Sequence, residues 1–186
     1  MTPLNFSLRM ASQQDAVTIS ALSIQVFLDT YATEGVRPDL AREAHSEYSI
    51  DAFAQRLAEP QRRFVLAENL AENLAEAGNG LLGFAEVLLT SVQPPAGDLA
   101  GAELVRLYVQ PKAQRMSLGR SLLTRAEQLV QAANIANLWL TAWEGNHNAR
   151  AFYERVGYED VGATTYTFQG QTYPNRVLAK RLEVDI

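Results

Sequence analysis

Residues 104–123, LVRLYVQPKAQRMSLGRSLL, restrict what this chain can fold into more than any other stretch. A short apolar strand meets a turn opened by Pro111, and a loop holding Ser117 and Gly119 follows. Beyond it, Leu118, Leu122, Ala126, Leu129 and Ala133 recur at helical spacing. The first N–H groups of such a helix have no intrahelical partner, and the positive end of its dipole faces outward. Main chain alone can then hold a phosphate there, provided no bulky side chain intervenes. Gly119 supplies that clearance. As an isolated loop the stretch is more commonly a helix N-cap that binds nothing.

The 186 residues suit a single domain, 1–186, with a full hydrophobic core. Apolar residues at 47% and charged residues at 20% leave little room for extended disorder. With no cysteine, disulfides, thiolate nucleophiles and cysteine-based zinc sites are excluded, and His45 and His147 do not have metal-ligand spacing, so no metal is expected. A net charge of −5 disfavours nucleic acid, whose phosphates need a basic face. No apolar run has transmembrane length and no secretory signal opens the chain, so the expected location is cytoplasmic, with no membrane partner.

Along the chain, alternation over Leu4 to Met10 predicts a strand, and Ser12 and Asp15 offer caps to a helix with Ile19, Leu22 and Val26 on one stripe, ending near Tyr31. Asp39, Glu43 and Glu47 at successive i, i+4 positions read as a solvated helical face, with attraction of a cationic amine as the alternative. Ser49 caps a further helix carrying Phe53 and Leu57. Strands are expected over Phe64 to Glu68 and Leu82 to Leu89. Between them a four-residue repeat, LAEN-LAEN-LAEA from Leu66 to Ala77, extends a hairpin loop over about 69–80. Ser91 to Gly101 reads as a turn-rich loop. A strand at Leu138 to Trp143 leads to a helix that Asn146 can cap and Gly157 can end, and two strands follow near Thr164 to Phe168 and Arg176 to Leu182. The pattern predicts an α/β fold, a mixed sheet with helices on its faces.

Gln114-Arg115-Met116-Ser117-Leu118-Gly119 resembles the Q/R-x-x-G-x-G/A signature of the GCN5-related N-acetyltransferases (GNAT), with Ser117 where the first glycine is usual. About thirty residues on, past a strand, N-x-x-A followed by F-Y-E-x-x-G-Y (Asn146 to Tyr158) is similar to that superfamily's C-terminal acetyl-CoA motif. The order of the two carries more weight than either alone, and the resemblance covers essentially the whole chain. A nearer likeness is to bacterial polyamine acetyltransferases of the spermidine/spermine type, in Ser23 to Tyr31, Leu138 to Leu140 with Trp143-Glu144, and Val177 to Leu182. Asn175 and Val105 stand where acidic residues are more typical.

The resemblance implies a mostly antiparallel sheet of about seven strands whose central parallel pair splays, with the pantetheine arm of acetyl-CoA entering between the two. It implies that the main chain of Leu107 and Val109 pairs with that arm, that the pyrophosphate sits on the amides of Met116, Ser117, Leu118, Gly119, Arg120 and Ser121 beside Gln114 and Arg115, and that Asn146 binds pantetheine or caps its helix. Val109 N–H would stabilise the oxyanion and Tyr153 would protonate the leaving sulfur, although by spacing alone Tyr153 reads as a core aromatic. Glu103 is the candidate base, with Glu34 and Glu86 as alternatives acting through water, and Tyr31, Glu34 and Tyr108 are candidate substrate contacts. The expected reaction transfers acetyl from acetyl-CoA to a primary amine of a small molecule, a polyamine being one form. The alternatives are a peptide N-terminus, an aminoglycoside, an amino-acid analogue, or a silent acyl-CoA sensor. The sheet edge and N-terminal helices leave room for a homodimer.

Overall fold

In chain order the elements are β1 (Phe6–Met10), α1 (Ala16–Tyr31), α2 (Pro38–Glu47), α3 (Ile50–Ala58), β2 (Arg62–Asn69), β3 (Leu81–Val92), β4 (Gly101–Val109), α4 (Leu118–Ala132), β5 (Asn137–Trp143), α5 (His147–Arg155), β6 (Glu159–Phe168) and β7 (Gln171–Arg181). They come from a computed structural model that describes residues 5–70, 80–92, 94–114 and 116–184. The seven strands form one mixed sheet, ordered β1-β2-β3-β4-β5-β7-β6, flanked by the helices. This is the α/β fold expected from the sequence. The chain falls into two compact units, Met1–Glu86 with Arg106–Arg125, and Val87–Val105 with Ala126–Ile186.

In the first unit β1 runs antiparallel to β2 from Phe6↔Asn69 to Met10↔Val65. Arg9 ties the start of α1 to this pair, donating to Asp15 at 2.6 and 2.9 Å and to Glu68 at 2.5 Å, while Asp15 also accepts the Ser12 N–H at 2.7 Å. On α1 the buried stripe is Ile19, Leu22, Ser23 and Phe27 rather than one through Val26, because Ser23 satisfies its hydroxyl inside the helix on Ile19 O at 2.7 Å. Ser49 caps α3 as its position predicts, accepting the Ala52 N–H at 3.2 Å. Phe53 from that helix meets Phe64 of β2 and Phe84 of β3 with ring centroids 6.2–6.3 Å apart, so three elements share one aromatic contact.

The acidic row on α2 is not a solvated face. Glu43 is buried, and Glu47 accepts from Arg56 at 2.5 Å and from Arg106 at 2.6 Å. The first copy of the four-residue repeat belongs to strand β2, with Leu66 and Ala67 fully buried, and Asn69 N–H closes onto Gly80 O at 2.9 Å. The later copies lie outside the described residues.

In the second unit β5 pairs antiparallel with β7 along its whole length, Asn137↔Arg181 to Trp143↔Asn175, and β7 pairs with β6 from Glu159↔Ala179 to Phe168↔Gln171. Both tail strands begin earlier than their apolar patterns suggest, because ladder bonds in a polar hairpin do not require burial. Trp139, Val177 and Ala179 form a core on one face, against which Val92, Ala96 and Val161 pack. Gly145 follows Trp143 for a steric reason: a Cβ there would collide with the indole.

Candidate active site

β4 ends at Val109, and Pro111, which has no N–H to give to a ladder, starts a 3-10 turn over Pro111–Ala113. Ser117 then adopts a φ of +63°, in the left-handed region. The serine therefore keeps the conformation a glycine would take freely, at a cost of about 1 kcal/mol. Its carbonyl accepts the Ser121 N–H at 3.0 Å and the Ser121 hydroxyl at 3.3 Å. The N–H groups of Leu118, Gly119 and Arg120 come before this helical bond, so by helix geometry they point out of the start of α4. Leu118 is fully buried and anchors the turn, Met116, Gly119 and Ser121 are half-buried, and Gln114, Ser117 and Arg120 are exposed. Arg115 lies outside the described residues.

Upstream, β4 pairs in parallel with β5 at Ala102↔Leu138 and Glu103↔Trp139. Among the described residues the register ends there, although β4 continues to Val109 and β5 to Trp143. From Leu104 onward this edge of β4 has no β5 ladder, and unpaired strand groups seek another partner. Leu107 and Val109 follow on that strand, both half-buried, and Val109 O accepts a long bond from Gln114 Nε2 at 3.4 Å. Glu103 is half-buried beside Trp139, whose indole N–H donates to Gly101 O at 3.2 Å.

Asn146 caps α5, its Oδ1 accepting the Ala149 N–H at 3.1 Å, and His147 is exposed on the first turn. Gly157 ends the helix at φ +92°. Tyr153 is 8% exposed, with Phe152 and Tyr158 rings 5.2 and 5.6 Å away. Tyr158 is committed elsewhere: its hydroxyl donates to Glu127 at 3.2 Å, and Lys180 donates to the same oxygen at 2.9 Å. Burial first, and then the Glu127 charge, hold the Tyr158 phenol above its ordinary range.

The remaining candidates spread through the first unit. Tyr31 packs on Phe27 at 5.1 Å, Glu34 is exposed, and Tyr108 OH lies 3.3 Å from Tyr48 OH. Glu86 is fully buried with both oxygens engaged, by Arg62 at 2.6 Å and Arg106 at 2.5 Å. Two guanidinium partners make it a structural anion, not a base open to an incoming amine. Arg106 lies 5.5 Å from the Tyr48 ring and 5.7 Å from that of Phe53. Burial opposes its charge, but Glu86 and the two tyrosines outweigh burial and hold the guanidinium above its usual range.

Residues 30–158 match the Acetyltransferase (GNAT) family. The chain belongs to that family. An uncharacterized N-acetyltransferase from the pepI 3′ region of Lactobacillus delbrueckii subsp. lactis is 26% identical over 146 residues, 78% of this chain and 80% of that protein. Among solved structures, the PaiA N-acetyltransferase of Thermoplasma acidophilum in complex with coenzyme A shares the fold at a TM-score of 0.74, with 20% identity over 96% of this chain and all of that one. The spermidine N-acetyltransferase SpeG of Vibrio cholerae does so at 0.64, with 17% identity over 95% of this chain and 93% of that one.

As a GNAT acetyltransferase the protein uses acetyl-CoA as cosubstrate. The left-handed turn, the outward amides at the start of α4 and the β4 edge that loses its ladder fit a molecule with a diphosphate at one end and amides along its arm. No group of three metal-ligating side chains stands together among the described residues, and no described helix is long and apolar enough to cross a membrane. Sequence reasoning missed the Glu47–Arg106–Glu86–Arg62 chain of ion pairs. Its one signal was an acid inside the apolar run LLGFAEVLL.

Proposed function

We propose that this GNAT acetyltransferase transfers the acetyl group directly to a primary amine of a small molecule. The observation that carries this reading is the β4 edge whose ladder to β5 stops at Glu103 and whose strand leads straight into the α4 turn. Acetyl-CoA, when bound, supplies the thioester carbon as electrophile and a thiolate as leaving group. Amides of Leu118, Gly119 and Arg120 hold the diphosphate, with Met116, Ser117 and Ser121 lining the turn and Gln114 and Arg120 offering side-chain donors at its rim. Main-chain groups of Leu107 and Val109 pair with the amides of the arm. The Asn146 carbonyl is spent on its cap, so its side-chain NH₂ is what remains to donate to that arm.

Attack by the amine places negative charge on the former carbonyl oxygen, where the Val109 N–H stabilises it. The Tyr153 hydroxyl donates a proton as the sulfur departs, and Glu103 takes the proton that the ammonium loses before attack. One observation supports the choice of base: Glu86 is closed by two arginines. Polyamines head the acceptor panel because the spermidine acetyltransferase shares the fold.

The test is thiol release from acetyl-CoA with polyamines, amino-acid derivatives and peptides as acceptors, in wild type and Tyr153→Phe. Release with at least one amine, and a turnover number about a hundredfold lower in the variant at saturating acetyl-CoA, are expected. An unchanged turnover number removes Tyr153 from the donor role.

A further inference from the structure

Asn175 is 6% exposed, and its Oδ1 has no hydrogen-bond partner. A buried carbonyl left unpaired is costly, and a ligand N–H or O–H would complete it. On the ladder Asn175 lies between Trp143 of β5 and Thr164 of β6. Directly paired residues stand side by side on one face, and so do residues two apart on a strand. Thr141, Trp143, Thr164, Tyr173 and Asn175 therefore share a face. Trp143 and Tyr173 meet edge-on at 6.5 Å, and Phe168 stacks on Tyr173 at 4.9 Å and 4°. Thr141 is exposed and Trp143 and Tyr173 are half-buried, so solvent reaches this aromatic strip beside the unpaired oxygen. Thr141 and Trp143 belong to the stretch of β5 beyond its last pair with β4.

The polarity of the strip selects its ligand. An unpaired carbonyl oxygen takes an N–H or O–H, and flat aromatic side chains suit a planar group. None of these side chains is charged, and the neighbouring ions engage one another: Arg176 donates to Asp160 at 2.7 Å and lies 3.9 Å from Glu144.

We propose that Asn175 is a specificity residue for the acceptor, accepting a neutral amide N–H that lies beside the reacting amine, with the planar amide against Trp143 and Tyr173. This rests on the acetyl-transfer reading above and narrows the acceptor to amines that carry a carboxamide or peptide group. With the amide against the Trp143 indole, acceptor binding changes tryptophan fluorescence.

The experiment compares an amino-acid amide with the methyl ester of the same amino acid, which has the same reacting amine but lacks the N–H. Both are assayed by thiol release in wild type and Asn175→Leu, with fluorescence titration and thermal melts alongside. Wild type is expected to favour the amide roughly tenfold in kcat/KM, the effect of one hydrogen bond to a buried acceptor, and to change its fluorescence with the amide. In Asn175→Leu the ratio falls to within about twofold, the fluorescence change disappears, and the melting temperature is retained or raised because no internal bond is lost. Equal use of both acceptors by wild type, or a preference that survives in Asn175→Leu, overturns the proposal. Should the leucine variant fail to fold, Asn175→Asp supplies the test: it must gain use of a diamine relative to the ester, and no gain overturns the proposal. Absence of thiol release with every amine would instead overturn the acetyl-transfer reading itself.

Discussion

Replacing Arg106 with methionine tests the ion network most severely. The substitution keeps much of the side-chain volume under Tyr48 and Phe53 but removes the donors to Glu86 and Glu47. Glu86 is 0% exposed, so its second oxygen would be stranded with Arg62 as the remaining partner, while Glu47 is about one-third exposed and can turn to water or stay on Arg56. Breaking a buried pair from one side costs about 3–5 kcal/mol, most of it the uncompensated charge left behind. At roughly 2–4 °C per kcal/mol for a chain of this size, the melting temperature should fall by about 6–20 °C. Urea unfolding of Arg106→Met, Glu86→Gln and the double variant measures the loss and the coupling. The double variant should lose less than the sum of the singles by more than about 1 kcal/mol, since removing both partners strands no charge. A loss under about 1 kcal/mol in Arg106→Met, or additive singles, would refute the reasoning.

Ser117→Val places a β-branched residue at φ +63°, and we expect a loss of about 1–2 kcal/mol together with weaker uptake of acetyl-CoA in calorimetry. Asn146→Ala removes the α5 cap and should lower stability by about 1 kcal/mol in urea unfolding. The Asp15 carboxyl is held at about 2, below 3.8, chiefly by its bonds to Arg9. A depressed folded-state pKa gives stability that is full above the unfolded value and is lost as the carboxyl protonates, so this contribution should fade between about pH 4 and pH 2. Discounted for the exposure of Arg9, it is on the order of 1 kcal/mol, and the acid limb of Asp15→Asn should be flatter by that amount in a pH series of melts.

What could be read from the sequence was set by local physics. Ser49 and Asn146 cap the helices their positions predict, Gly157 takes the positive φ that ends α5, and the strand from Leu138 to Trp143 begins one residue early, at Asn137. These depend on neighbours within a few residues. The ion network does not: Glu47, Arg62, Glu86 and Arg106 come from four elements, and no local pattern distinguishes Glu47, which pairs, from an acid facing water. The α2 row was misread for the same reason, since i, i+4 spacing records a helix face but not what packs on it. The polar β6–β7 hairpin was foreshortened because an alternation signal needs one buried face, and much of β6 has none. Around the α4 turn, residue types revealed the motif, whereas the left-handed angle at Ser117 is a property of the backbone that a serine does not announce.

The most direct measurement is a calorimetric titration of acetyl-CoA into the purified protein, repeated with dephospho-coenzyme A and with pantetheine. If the start of α4 grips the diphosphate, the first two should bind in one-to-one ratio and pantetheine should bind far more weakly. No heat with acetyl-CoA, or pantetheine binding as tightly as the diphosphate-bearing forms, would contradict the account.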